Sequence, residues 1–240
     1  MTRQTLIVKI LLVSLLIGLA PHSALAAGQP NTSKLAFTAF NLIQLQSSKP
    51  AEQTVSNGFW LAWIIMAGML LALVVSAVVL IRAFQGKVLA EPKGWLAWAT
   101  PILALLGLGA AIYLTYVEGS QAQAICGPIG DCNAVQSSQY AKIFGLIPVG
   151  LLGALGYIGI LIAWLWHRWR KDSLAEIAGP ALFGMTAFGV LYSIYLTYLE
   201  IFVIHAVCIW CLSSAVIITL LMLLSLGPAS KWLSAVDEED

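Results

Sequence analysis

Charged side chains are scarce in this sequence. Asp, Glu, Lys and Arg make up 10% of its 240 residues, against roughly 25% in soluble globular domains, and that shortfall excludes an ordinary water-soluble domain. An excess of either sign is also missing. With a formal net charge of +1 no basic surface exists to neutralise phosphates, so nucleic acid is excluded as a partner. Cysteines number four, too few for a disulfide-stapled miniprotein, so the position of each one relative to a membrane decides its chemistry. No alternation of apolar and polar residues is long enough to suggest a β-barrel. Apolar residues are what the chain has in abundance: 60% of the total, with a mean hydropathy of +0.90.

The chain opens with Arg3 and Lys9, an apolar run from Ile10 to Ala20, then Pro21 and the small-x-small tripeptide Ala24-Leu25-Ala26. This predicts a secretory signal over residues 1–26, with an uncleaved anchor helix as the alternative; either sends residue 27 outward. Residues 27–58 are polar and read as a loose extracytoplasmic tail. Uncharged runs over Phe59–Ile81, Trp95–Val117 and Ile143–Trp166 each exceed the ~20 helical residues that cross a hydrocarbon core of about 30 Å. Ile177 to Leu226 is interrupted only by Glu200 and His205. As one helix it would reach roughly 75 Å, so it must fold back once. The expected architecture is an all-α integral membrane protein: a four-helix transmembrane bundle over 95–226, one extra transmembrane helix at 59–81 as a support, and a cytoplasmic tail over 227–240. Counting basic residues from an outward start puts Arg82, Lys87, Lys93, Arg168, Arg170, Lys171 and Lys231 inside, and Lys34, Lys49 and Lys142 outside. Seven against three satisfies the positive-inside rule. Trp95, Trp98, Trp164, Trp166 and Trp169 fall near the inner ends, as headgroup-level anchors do.

An internal repeat locates the chemistry. Ile112-Tyr113-Leu114-Thr115-Tyr116-Val117-Glu118 returns 82 residues later as Ile194-Tyr195-Leu196-Thr197-Tyr198-Leu199-Glu200, identical at six of seven positions. Eight residues after each glutamate stands a cysteine, Cys126 and Cys208. Both copies therefore lead an outward-going helix into a cysteine-bearing turn, and the break in the long run falls between Glu200 and Cys208. All four thiols are then expected on the oxidising, extracytoplasmic side.

Cys208-Ile209-Trp210-Cys211 places two sulfurs on one helical face at a helix N-terminus, where free amide hydrogens favour a thiolate. A redox pair is the reading this supports. Its alternatives are a static bridge, which would stabilise little across so short a loop, and a zinc site built from all four cysteines. Cys126-Gly127-Pro128-Ile129-Gly130-Asp131-Cys132 reads instead as an exposed, movable turn flanked by polar Gln121, Gln123, Asn133, Gln136 and Ser137. Two dithiols, one on a loop and one at a helix mouth, suit a relay by thiol–disulfide exchange between a soluble protein and a lipid-soluble electron acceptor. Around them, His205 reads as an interface histidine or a thiolate-favouring neighbour, and Asp131 as a tuner of Cys132 or a solvating group. Glu118 and Glu200 read as interface carboxylates, with a proton relay as the sharper alternative. Tyr113, Tyr116, Tyr195 and Tyr198 read as bundle packing.

With these residues in view, the chain resembles the vitamin K epoxide reductase family of membrane thiol oxidoreductases over about Trp95 to Leu226. The residues carrying the resemblance are Cys126 and Cys132, the pattern Cys132, Val135, Ser138 and Tyr140, then Gly145, Pro148, Gly153 and Tyr157, and the pair Cys208 and Cys211. The resemblance implies a bundle around a quinone of the ubiquinone, menaquinone, phylloquinone or plastoquinone type. It also implies roles: Cys211 meets the quinone, Cys208 exchanges with Cys132, Cys126 takes a mixed disulfide with a secreted thioredoxin-fold partner, and Ser138 hydrogen-bonds a quinone or a site carbonyl. The expected activity is that of a thiol:quinone oxidoreductase supporting disulfide-bond formation in a bacterial plasma membrane or a thylakoid membrane. A structural or transport protein with static outer-face disulfides is the competing expectation. Two departures qualify the resemblance: Ala215 stands where animal enzymes acting on the epoxide carry a tyrosine, which weighs against epoxide reduction, and no thioredoxin-like domain follows the bundle.

Overall fold

The computed structural model describes residues 49–120, 122–126, 130–143, 146–170 and 173–237. The signal at 1–26, the tail up to residue 48, Gln121, the turn residues Gly127, Pro128 and Ile129, and Gly145 and Lys171 lie outside the described residues. Within them, long helices dominate: α1 (Lys49–Ala83), α2 (Ala99–Ser120), a short α3 (Cys132–Gln136), α4 (Val149–Trp169), α5 (Ser173–Leu199) and α6 (Ile209–Asp237). Five of them are long and apolar enough to cross a membrane, as the hydropathy requires, and the chain is an all-α integral membrane protein.

Some element ends differ from the sequence reading. α1 starts at Lys49, inside the stretch read as a tail, with Pro50 in its first turn, where a missing N–H costs no intrahelical bond. The third span begins at Val149, later than expected, because Ile147 precedes Pro148 and is steered to extended backbone. There Lys142–Ile143 (β1) pairs antiparallel with Ile147–Pro148 (β2). α6 continues past Leu226 to Asp237 although Pro228 lies inside it. At that end Lys231 reaches Glu91 at 3.6 Å.

Small residues let the helices approach. α2 buries Ala104, Gly107, Ala111 and Leu114 at helical spacing, the pattern that draws helices together in lipid, where apolar burial supplies no driving force. The Tyr157 ring of α4 fills the notch at Gly107, and a Cβ on Gly150 would lie 2.6 Å from the Thr115 amide nitrogen. Tyr157 in turn bonds the Ser214 side chain at 2.9 Å, tying α4 to α6. Met69 of α1 enters the same core as Ala111, Tyr157, Val190 and Met222. α1 therefore packs on the bundle, and near the break before α6 its Ala62 meets Ile201, Val207 and Leu212.

The repeat is visible in hydrogen bonds. Glu118 Oε2 accepts from the Gly150 N–H at 3.3 Å, and Glu200 Oε2 accepts from the Cys208 N–H, also at 3.3 Å. Each carboxyl thus satisfies an unpaired amide at the start of the next long helix. Both are buried, at 6% and 2% exposure, so the reading of them as interface carboxylates is corrected. Tyr116, Tyr195 and Tyr198 are exposed on the outside of the helices and do not pack the bundle. The repeat keeps their spacing, yet only Tyr113 turns toward the cysteines.

Candidate active site

The two cysteine segments meet at one end of the bundle. Cys126 and Cys132 are joined by a disulfide with Cα atoms 6.0 Å apart, while Cys208 and Cys211 are free thiols. Cys132 and Cys208 are both fully buried and share one apolar cluster with Leu114, Val117 and Val135. Cys126 is the less buried end of the disulfide.

The described parts of the loop are held down, in contrast to the movable turn expected from its glycines. Asp131 caps α3 by accepting from the Ala134 N–H at 3.0 Å, the ordinary bond of an N-cap. Its own N–H donates to the Val207 carbonyl at 3.0 Å. Gly130 has φ +84, and a Cβ there would overlap that same carbonyl oxygen. On the other arm the Ala124 N–H donates to Asn133 Oδ1 at 2.7 Å, and the Ile125 N–H to the Tyr113 hydroxyl at 2.7 Å. The Trp210 indole, whose ring lies 4.8 Å from that of Tyr113, donates to the Ile125 carbonyl at 3.0 Å. The residue inside the Cys-x-x-Cys motif thus holds the other cysteine loop.

The fold-back before α6 is built from a wide turn. Glu200–Ile204 forms one π-helical turn, ended by His205 in the left-handed region at φ 56. Ala206 N–H closes it by donating to the Glu200 carbonyl at 3.1 Å. Cys208 then stands at the N-cap of α6: Leu212 N–H donates to its carbonyl, and Cys211 N–H reaches its Sγ at 3.4 Å. A sulfur at this position occupies the place of a capping oxygen, and the partial positive charge of the helix end favours its anion. The Cys208 thiol is accordingly lowered from its ordinary value, first by the hydrogen bond from Cys211, against the opposing effect of burial, and further by the backbone N–H groups of Cys211 and Trp210 and by Gln136. His205 is exposed, with Nδ1 3.2 Å from the Val203 carbonyl.

Gln136 is the functional neighbour that sequence reasoning missed. Its Nε2 lies 3.9 Å from both the Cys208 and the Cys211 sulfur, and only its spacing of four from Cys132, which puts both on one face of α3, hinted at this. Gln136→Leu removes a donor from a depressed thiol, so the alkylation curve of Cys208 is expected to move to higher pH. At pH 7 its rate should fall about fivefold, the effect of roughly 1 kcal/mol for one weak hydrogen bond. Stopped-flow alkylation across pH with the loop disulfide intact checks this; an unmoved curve would show that Gln136 does not stabilise the thiolate.

Among the described residues, Cys211 borders two cavities whose linings do not include Cys208. The larger, about 230 Å³, is lined mainly by apolar side chains and by Gly150, Gly153 and Gly156 of α4, with Tyr157, Phe188 and Tyr192 around it. A Cβ added at Gly156 would meet nothing within 4 Å, so the glycines leave a slot beside the thiol. The smaller, about 30 Å³, lies among Gln136, Ser138, Tyr140, Glu118 and Glu200. Ser138 donates to the Val135 carbonyl at 2.7 Å and faces this smaller space. Comparison with known families finds that the profile of the vitamin K epoxide reductase family matches residues 98–226, a span that holds all four cysteines and every helix bordering the two cavities.

Proposed function

We propose, from the premise that this chain belongs to the vitamin K epoxide reductase family and is a membrane thiol–disulfide oxidoreductase, that it oxidises a secreted thioredoxin-fold dithiol protein and reduces a membrane quinone. The carrying observation is the division of labour among the sulfurs. Of the four, Cys211 alone lines the large apolar cavity, Cys208 sits behind it as a stabilised nucleophile, and the bonded pair Cys126–Cys132 packs against Cys208.

A quinone suits the residues present: an apolar slot bordered by glycines, aromatic side chains and a free thiol. When bound it supplies a two-electron acceptor. The protein's own steps are exchanges of disulfide bonds. Partner thiolate attacks the loop disulfide at Cys126, the less buried sulfur, and expels Cys132 as a thiolate; the partner's second thiol then resolves the mixed disulfide and frees Cys126. When the second pair is in its disulfide form, the Cys132 thiolate attacks Cys208 and expels Cys211, Cys126 closes the loop disulfide again and frees Cys208, and reoxidation of Cys208 and Cys211 to a disulfide delivers two electrons into the cavity. The basic-residue count supports placing this end of the bundle outside the cytoplasm.

The direct test is the redox state of the four cysteines in membranes with quinone present and then depleted, read by differential alkylation and mass spectrometry. Depletion should leave Cys208 and Cys211 reduced, followed by Cys126 and Cys132 once partner dithiol is added. Bridges that stay unchanged in both conditions would assign the cysteines a static role and overturn the proposal.

A further inference from the structure

Glu118 and Glu200 do more than cap helices. One oxygen of each is engaged by a backbone N–H, and both carboxyl groups also border the smaller cavity together with Cys211. Glu200 faces the Cys211 thiol. Glu118 reaches further: it lines the large apolar cavity as well. Between them the cavity of about 30 Å³ has room for one or two waters, for which a polar space needs ~10–15 Å³ and two or more partners. Gln136 supplies such a partner, since its Oε1 is buried without a hydrogen bond among the described residues. Cys211, Glu200, Gln136 and Glu118 thus border one small cavity, and Glu118 also borders the large one.

We propose that a water in the small cavity joins the two glutamates into a proton path, Cys211 to Glu200 to water to Glu118 and on to the acceptor site in the large cavity. The path rests on the thiol:quinone reading above and supplies what that reaction needs besides electrons. When Cys208 and Cys211 close their S–S bond, the S–H bond of Cys211 breaks, two electrons leave, and two protons must reach the reduced quinone. One comes from Cys211 by this path; the second is taken up from solvent water, into which Cys208 released its own proton on becoming a thiolate. Groups facing the path are Lys142 and Tyr192 toward Glu118, Cys208 and Cys211 toward Glu200, and Tyr140 on the cavity wall. Two carboxyl groups on one small cavity can share a proton, and a shared proton can move.

Glu200→Gln and Glu118→Gln separate this role from helix capping, because an amide oxygen still accepts the N–H bond but cannot carry the proton. In single-turnover mixing of the reduced full-length protein with quinone, each variant is expected to oxidise Cys208 and Cys211 about 10²-fold more slowly, as for loss of a positioned acid–base group. In Glu118→Gln, where the parental carboxyl accepts from Gly150 and not from a cysteine, exchange with the loop disulfide should hold its parental rate. A second arm needs no quinone: infrared difference spectra of the parental protein, cycled between dithiothreitol and a soluble disulfide, should show a protonated-carboxyl band that glutamine at either position removes. Glutamine variants that oxidise at the parental rate, or a parental spectrum without that band, would overturn the path. If the parental protein reduced no quinone, the function proposed above would fall, and the infrared arm would still decide whether the carboxyls carry protons. Should a glutamine variant fail to fold, the parental band decides alone.

Discussion

Cys211→Ala is expected to abolish quinone reduction, by at least ~10³-fold, as when a residue bonded to the reacting group is removed. The reason is placement. Cys208 is fully buried and borders neither cavity, so with Cys211 gone no thiol meets the large apolar space. The thiol left behind is not inert. Cys208 keeps its place at the N-cap of α6 and shares an apolar cluster with Cys132, so it can attack the loop disulfide at Cys132 and release Cys126 as a thiol, but Cys211 is no longer there to resolve the product by bonding to Cys208. A Cys132–Cys208 disulfide should accumulate. Mass spectrometry of disulfide-linked peptides, alongside quinone absorbance, reads both effects. Parental quinone reduction by this variant would remove Cys211 from the electron path.

Gly130→Ala is expected to slow transfer between the two pairs by about 10²-fold, since a misplacement of ~1 Å between reacting groups costs that much. Its backbone φ of +84 disfavours any side chain, and the added Cβ would occupy the space of the Val207 carbonyl oxygen. To accept it the loop must lift away, which breaks the Asp131–Val207 hydrogen bond and separates Cys132 from Cys208. Stability should fall by ~1–3 kcal/mol for the strained position. Reduction of quinone driven by dithiothreitol acting on Cys208 and Cys211 should survive, so the ratio of partner-driven to dithiothreitol-driven rates is the measurement. Gly109→Ala provides the control, because a Cβ there meets nothing within 4 Å and alanine suits a helix better than glycine. A Gly130→Ala protein with an unchanged ratio would show that docking on Val207 does not set the transfer rate.

The two substitutions differ in how much of their basis is written in the chain. Cys211 is legible: a Cys-x-x-Cys motif at a helix start, in register with an internal repeat, has one chemical reading that outweighs the others. Gly130 is not. Its importance comes from a carbonyl 77 residues away in sequence, and a turn with two glycines looks mobile until the segment it lies against is known. Glu118 and Glu200 show the same limit from the other side. Their repeat was visible, yet carboxyl groups near the ends of apolar runs read as wetted side chains, and burial became apparent only when the following helices were seen to start on top of them.

The membrane, the number of long helices and the break after Glu200 could be read from the order of amino acids, which also singled out the four cysteines as candidates for redox chemistry. All follow from hydropathy, length and local spacing, which depend on neighbours along the chain. Tertiary structure decided which tyrosine faces the cysteines, that Gln136 reaches two sulfurs, that Cys211 and not Cys208 opens to the apolar cavity, and that two buried carboxyls meet across one small space. Those are relations between helices, and helix packing in lipid is governed by small-residue contacts and interhelical hydrogen bonds. An apolar pattern without a strong polar face does not reveal which side of each helix will make them.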